Sequence, residues 1–145
     1  MIGSIVTICT GNICRSPVAA AALKSFVPNL AIRSAGLHAV VGRGVDPDSK
    51  AAAESLGIPI QGHVAQQFTR QIGQDADLLL VMEQAQRQEI ARLWPQFLGK
   101  TFLLGHFEGG KQIADPYRQG AMMHMRMAEN VLESAQHWSC QLRNM

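Results

Sequence analysis

Apolar positions along the chain fall into two patterns. Short, nearly continuous β-branched or leucine-rich runs alternate with longer stretches whose apolar residues recur every three to four positions. The first run, Ser4-Ile5-Val6-Thr7-Ile8, has the continuity of a strand buried on both faces. A glycine-containing loop follows, then Ser16-Pro17, read as the cap and first residue of a helix. Alanine-rich Val18 to Phe26 continues that helix and Pro28 stops it. Leu30 to Ser34 is a second strand, and Ala35-Gly36 opens a long loop. Asp46-Pro47 begins a helix that Gly57 ends, and a short helix is expected near Phe68 to Gln74. Asp77 to Met82 is the clearest buried strand. Glu83 to Trp94 is an amphipathic helix with Ile90, Leu93 and Trp94 on one face, closed by Pro95. Thr101 to Leu104 makes a fourth strand. After an irregular stretch to Tyr117, a long helix runs from about Ala121 to Leu142, with Met125, Ala128, Val131, Leu132, Ala135, Trp138 and Leu142 at helical spacing.

Four strands separated by helices predict an α/β fold, a doubly wound parallel sheet with helices on both faces. In such sheets ligands bind at the carboxyl ends of the strands, where the winding direction switches. The loop starting at Cys9, the Ser34-Ala35-Gly36 segment, Met82-Glu83 and the segment holding Asp115 all leave carboxyl ends, so they converge on one edge. With 145 residues, no internal repeat and no linker, the chain is expected to be a single domain, 1–145, large enough to bury a core without disulfides.

Composition narrows the function classes. An apolar fraction of 47% with 17% charged residues excludes disorder over most of the chain. The net charge of +2 suits an anionic substrate but includes no basic tract that would track nucleic acid. No apolar run approaches the roughly 20 residues of a membrane span, and the N-terminal run is too short for a signal peptide. Three cysteines, two of them close together and the third at Cys140, make no disulfide framework, so a reducing cytoplasm is expected.

The candidate chemistry lies in Cys9-Thr10-Gly11-Asn12-Ile13-Cys14-Arg15. A loop between a buried strand and a helix N-terminus turns backbone N–H groups into a concave nest for an anion, and the helix dipole adds positive potential there. Arg15 stands where its planar fork grips two phosphate oxygens side by side. Cys9, at the floor, is placed so that amides, dipole and arginine favour its thiolate, the nucleophilic form. The Ser16 hydroxyl caps the helix, hydrogen-bonds the sulfur, or both. Such a loop also serves as a binding cradle with an idle thiol, and a leaving-group acid separates the two readings. Asp115-Pro116-Tyr117 supplies a candidate: Asp115 as acid and then base, Tyr117 as one wall of a slot for an aromatic ester.

Cys9 to Pro17 near the N-terminus, with Asp115-Pro116-Tyr117 near the C-terminus, resembles the low-molecular-weight protein-tyrosine phosphatases over essentially the whole chain. Ser34-Ala35-Gly36, Gly62-His63 and Asp77 to Glu83 extend the match. Gly105-His106-Phe107 and Ile113 to Arg118 resemble the bacterial branch linked to exopolysaccharide and capsule export, which commonly has tryptophan at the position of Phe107. The resemblance implies a phosphocysteine mechanism without metal or cofactor. Cys9 is then the nucleophile, Arg15 binds phosphate and stabilises the transition state, and Asp115 is acid then base. Asn12, Ser34 and His63 form a network that holds the loop, and Ser16 assists the thiolate. It implies as substrate a tyrosine-phosphorylated protein, namely an autophosphorylating bacterial tyrosine kinase of polysaccharide export, with inorganic phosphate as product. Many relatives carry glutamate at the position of Ala20, so His63 lacks that carboxylate here.

Several residues stay open between two roles. Cys14 either closes a reversible disulfide with Cys9 that protects it from overoxidation, or simply packs the loop. Leu37, His38 and the 40–43 stretch are read as the slot rim. Cys140 and the group Met122, Met123, Met125 and Met127 are read as packing. A zinc site from Cys9, Cys14 and a histidine is disfavoured because ligand pairs at zinc spacing are missing. Two other functions compete. A thioredoxin-coupled arsenate reductase of the same fold needs two further relay cysteines, yet none lies between Arg15 and Ser139. A non-catalytic phosphotyrosine-binding module requires neither Cys9 nor Asp115.

Overall fold

The computed structural model describes residues 1–145. Four parallel strands, β1 (Ser4–Cys9), β2 (Ala31–Gly36), β3 (Leu78–Val81) and β4 (Thr101–Leu103), form one sheet in the order β2-β1-β3-β4. The winding direction reverses between β1 and β3, so the carboxyl end of β1 is the switch point. Cys9 is the last residue of β1 and stands opposite Gly36 of β2. Every residue of β1 from Ile5 onward and all of β3 are buried, as continuous apolar runs require.

Side chains alternate between the faces of the sheet and feed two cores of unequal size. Ile5, Leu78, Leu80 and Met82 join the larger, with α1 (Arg15–Phe26), α2 (Pro47–Ser55) and α5 (Ala121–Arg143) over it. Val6, Ile8, Leu79 and Val81 join the smaller, covered by α3 (Arg70–Asp75), α4 (Gln84–Leu93) and a 3-10 segment over Pro95–Lys100. Phe68 packs edge-on to both Trp94 and Phe97 in that second core.

Local chemistry sets the ends of the helices. Asp46 caps α2, its Oδ1 accepting from the amides of Asp48 at 3.0 Å and Ser49 at 3.4 Å, with Pro47 in the first position. Gly57 then ends the turn at φ 76°. At α4, Gln86 accepts the Glu83 amide at 3.0 Å and the Glu83 side chain returns the favour, a capping box.

The helices also depart from expectation. The cap of α1 is Cys14 rather than Ser16, no side chain caps it, and Pro17 is the third helical residue. Proline fits there because the first four amides of a helix lack intrahelical partners, and the Ser16 hydroxyl is engaged elsewhere. On α4, Ile90 is buried and Trp94 half-buried, but Leu93 is exposed on the far side of the turn. On α5 the buried stripe is Met127, Ala128, Val131, Ser134, Ala135 and Trp138, flanked by partly buried Met125, Leu132 and Leu142. Met122 is therefore exposed rather than core, Met123 is half-buried, and only Met127 of the methionine group is enclosed. Cys140 faces solvent too, because the inward positions beside it are taken by Trp138 and Ser139.

Candidate active site

The loop after β1 is fastened by its carbonyl groups. Leu37 N–H donates to the Cys9 carbonyl at 3.0 Å, His38 to Thr10 at 2.9 Å, Val40 to Gly11 at 3.0 Å and Asp46 to Ile13 at 2.8 Å. His63 Nε2 meets the fifth carbonyl, that of Asn12, at 2.7 Å. In a trans peptide the N–H of the next residue points opposite to the carbonyl. With five successive carbonyls drawn outward, the amides of residues 10–14 turn inward, which is the nest an anion needs. The Asn12 amide shows that direction, donating to Cys9 Sγ at 3.3 Å. Asn12 holds a left-handed φ of 59°, a conformation asparagine tolerates better than most residues. Gly36 is required alongside, since a Cβ there would lie 2.5 Å from the Thr10 carbonyl oxygen.

Cys9 is almost fully buried and its sulfur lies 2.9 Å from Ser16 Oγ. Asn12 Nδ2 donates to Ser16 Oγ at 2.8 Å and to Ser34 Oγ at 2.9 Å, while its Oδ1 accepts the Gln66 amide at 2.9 Å. The partner of His63 Nε2 is a carbonyl, which only accepts, so that nitrogen carries the proton. Burial lowers the His63 pKa from its ordinary value, the hydrogen bond to Asn12 opposes the shift, and Lys24 reinforces it. The charge beside His63 is thus a cation. A cavity of about 400 Å³ is lined by Ala20, Lys24, Arg33, Ser34 and His63, and Cys9 lies outside it.

Arg15 is 2% exposed, with Nη1 paired to Glu83 and donating to the Ile113 carbonyl at 2.8 Å. Its Nη2 lies 3.9 Å from Asp115 Oδ2, and its Nε is the one buried side-chain polar atom without a partner. Asp115, half-exposed, accepts the Tyr117 amide at 3.0 Å, which fixes the loop that carries both. A cavity of about 200 Å³ joins the parts: Cys9, Cys14 and Arg15 at its base, Asp115 and Tyr117 on one side, His38 and Val40 on the other. Arg118 lies 5.2 Å from the Tyr117 ring centroid, against its face.

Two expectations for the rim fail. Leu37 is buried in the smaller core, because an apolar side chain leaving β2 finds a dry position under the sheet. Val41, Gly42 and Arg43 are exposed without lining the slot; Gly42 and Arg43 pair their backbones with Ala65 instead, fastening the strand of chain that carries His63. Other residues were not foreseen in their roles. Glu83, at the carboxyl end of β3 where the fold rule points, pairs with Arg15, a role its sequence position does not give. Gln86, buried at the head of α4, donates to Thr10 Oγ1 at 3.2 Å. Gln66 anchors both Asn12 and the Ser34 carbonyl from a segment without periodicity. Cys14 is buried, and that burial pushes its thiol up to about 12.

Residues 4–145 match the family described as low molecular weight phosphotyrosine protein phosphatase. The chain belongs to that family. Among its relatives is the probable low molecular weight protein-tyrosine-phosphatase AmsI of Erwinia amylovora, 41% identical over 95% of this chain and 96% of its own. The crystal structure of the tyrosine phosphatase Wzb from Escherichia coli K30 in complex with sulphate superposes with a TM-score of 0.95. It is 37% identical and covers 98% of this chain and 99% of that one. A YwlE arginine phosphatase from Geobacillus stearothermophilus also shares the fold, with a TM-score of 0.91 at 28% identity over 97% of this chain and 93% of that one. The four-stranded parallel sheet is therefore the phosphatase fold of this family, and no helix is long and apolar enough to cross a membrane.

Proposed function

We propose that residues 1–145 act as one cytoplasmic phosphatase domain that hydrolyses protein phosphotyrosine through a phosphocysteine. The observation that carries this reading is that Cys9, Arg15 and Asp115 line one small cavity walled by Tyr117. The substrate phosphate lies in the nest against Arg15. Cys9 Sγ attacks phosphorus as the phenol oxygen leaves, and that oxygen takes a proton from Asp115. A water then attacks the sulfur-bound phosphoryl group and gives a proton to Asp115, which releases inorganic phosphate and restores the thiolate. Ser16 Oγ, 2.9 Å from the sulfur, steadies the thiolate in both halves of the cycle. Asn12, Ser34 and His63 hold the loop open, and Cys14 closes a reversible disulfide with Cys9 under oxidation.

Tyr117 and His38 both line the cavity, which favours a flat aromatic ester. The relatives AmsI and Wzb, named as tyrosine phosphatases, support phosphotyrosine as the reacting group. The resemblance to the exopolysaccharide-linked branch makes a bacterial tyrosine autokinase the proposed protein substrate. Rapid acid quench followed by mass spectrometry tests the mechanism: phosphate on Cys9 during turnover of a tyrosine phosphopeptide is expected. Cys9→Ser is expected to lose turnover while still binding inorganic phosphate. Appreciable turnover by Cys9→Ser overturns the nucleophile assignment, and faster hydrolysis of phosphoarginine than of phosphotyrosine peptides overturns the substrate class.

A further inference from the structure

Beneath the phosphate loop, three side chains from distant parts of the sequence meet. Cys14 caps α1, Asp46 caps α2, and His124 lies in the first turn of α5. The Cys14 sulfur, an Asp46 carboxylate oxygen and a His124 ring nitrogen all lie within 4.8 Å of one another. Cys14 is 4% and His124 1% exposed, and the Asp46 side chain is 16% exposed. His124 Nδ1 is 3.7 Å from Asp46 Oδ1 and 2.7 Å from Ser49 Oγ. The proposed phosphatase mechanism uses neither His124 nor Asp46. Burying an imidazole at this place costs desolvation that any apolar residue would avoid, and the neighbouring core face of α5 is otherwise Met127, Ala128 and Val131.

We propose that Cys14, Asp46 and His124 form a binding site for a divalent ion of the zinc class. Thiolate, imidazole and carboxylate are the three ligand types zinc takes, and a tetrahedral ion leaves a fourth position for water. Bonds of about 2.0–2.3 Å bring tetrahedral donors to roughly 3.3–3.7 Å of one another. A nitrogen–oxygen pair on such an ion stands at roughly 3.3–3.5 Å; His124 Nδ1 and Asp46 Oδ1 are at 3.7 Å, so small inward shifts of the three side chains seat the ion. Ser49 Oγ, 2.7 Å from the same His124 Nδ1, has to release that nitrogen when the ion binds. Entry is through the substrate cavity, whose base includes Cys14. On binding, the Cys14 sulfur–hydrogen bond breaks, the proton goes to solvent, and a sulfur–metal bond forms; no electron is transferred. The ion ties the starts of three helices together, and a metal-bound Cys14 is unavailable to Cys9.

Cadmium binding tests the site in the full chain carrying Cys9→Ser and Cys140→Ser, which leaves Cys14 as the sole thiol. One equivalent is expected to produce the ultraviolet thiolate-to-cadmium band, and zinc is expected to displace it and raise the melting temperature. Adding His124→Phe, or separately Asp46→Asn, is expected to weaken binding by about tenfold or more. Circular dichroism reports whether each variant folds, and Asp46→Asn carries the test alone if His124→Phe does not. Absence of the band in the Cys14-only chain overturns the proposal. Unchanged affinity in a folded His124 or Asp46 variant also overturns it, since the ion is then held by Cys14 alone.

Discussion

Asn12 is the residue whose removal most directly tests whether the loop is held by its side-chain network. Its side chain is fully buried and makes three hydrogen bonds, at 2.8 Å to Ser16, 2.9 Å to Ser34 and 2.9 Å from the Gln66 amide. A buried hydrogen bond contributes about 1 kcal/mol net, so Asn12→Gly should cost roughly 3 kcal/mol. The larger share falls on the Gln66 amide, which is left without its acceptor, whereas Ser16 retains Cys9 Sγ. Asn12→Ala loses the same bonds and also places a Cβ-bearing residue at φ 59° without a side chain to support it. Alanine at positive φ is worse than glycine by about 1 kcal/mol or more. The expected order is therefore parent, then Asn12→Gly, then Asn12→Ala, separated by roughly 3 and 1 kcal/mol in urea unfolding at a common m-value. Activity on an aryl phosphate should fall in both variants, because the amide that meets Cys9 Sγ belongs to the same residue. Losses below about 1 kcal/mol in both would mean that the outward-drawn carbonyls alone hold the loop. Alanine equal to or better than glycine would refute the argument from backbone conformation.

Asp115→Ala is expected to slow aryl esters with poor leaving groups by about 100-fold or more and activated esters far less; equal losses would remove Asp115 as the acid. Peroxide is expected to inactivate Cys14→Ser irreversibly but the parent reversibly on adding a thiol, and identical recovery would dismiss the protective disulfide. Burial lowers the His63 pKa in the folded protein, so the unfolded chain binds the extra proton first and stability rises with pH. That contribution is complete above the ordinary value of 6.5 and is lost as pH falls through the lower folded value. His63→Gln, which keeps a donor toward Asn12, should flatten the pH dependence of the urea midpoint in that window; an unchanged profile would show that His63 is not its source.

Legibility in the sequence followed how local the physics was. β1 and β3 were readable because strands buried on both faces announce themselves as unbroken apolar runs, and α2 because Asp46, Pro47 and Gly57 each act within a few residues. The loop from Cys9 to Arg15 stood out for the same reason: its candidate chemistry sits in seven consecutive residues. Ser16 misled because a serine before a proline has two uses, and only the tertiary position of Cys9 Sγ decides between them. Leu37 misled because the slot lies just beyond β2, yet the side chain of the next residue points under the sheet. Gln66 and His124 carried no pattern, and Gln86 only that of a capping box. Each makes a contact at least 54 positions away, to Asn12, Thr10 and Ser49. Burial of such residues depends on where helices dock, which periodicity does not encode.

Arg15 draws these levels together. A guanidinium this deeply buried would cost several kcal/mol if left alone. The fold offsets that cost with Glu83 from the end of β3 and the Ile113 carbonyl from the segment leading to Asp115, but both act on Nη1. Nε keeps no partner and Nη2 has only the long contact to Asp115. The side chain is thus fixed in direction while two of its nitrogens remain available. An oxyanion in the nest would meet those two nitrogens together with the inward amides of residues 10–14, paying no further cost to orient the arginine. Glu83 therefore positions Arg15 without occupying its anion-facing edge, which a carboxylate placed on Nε would have done.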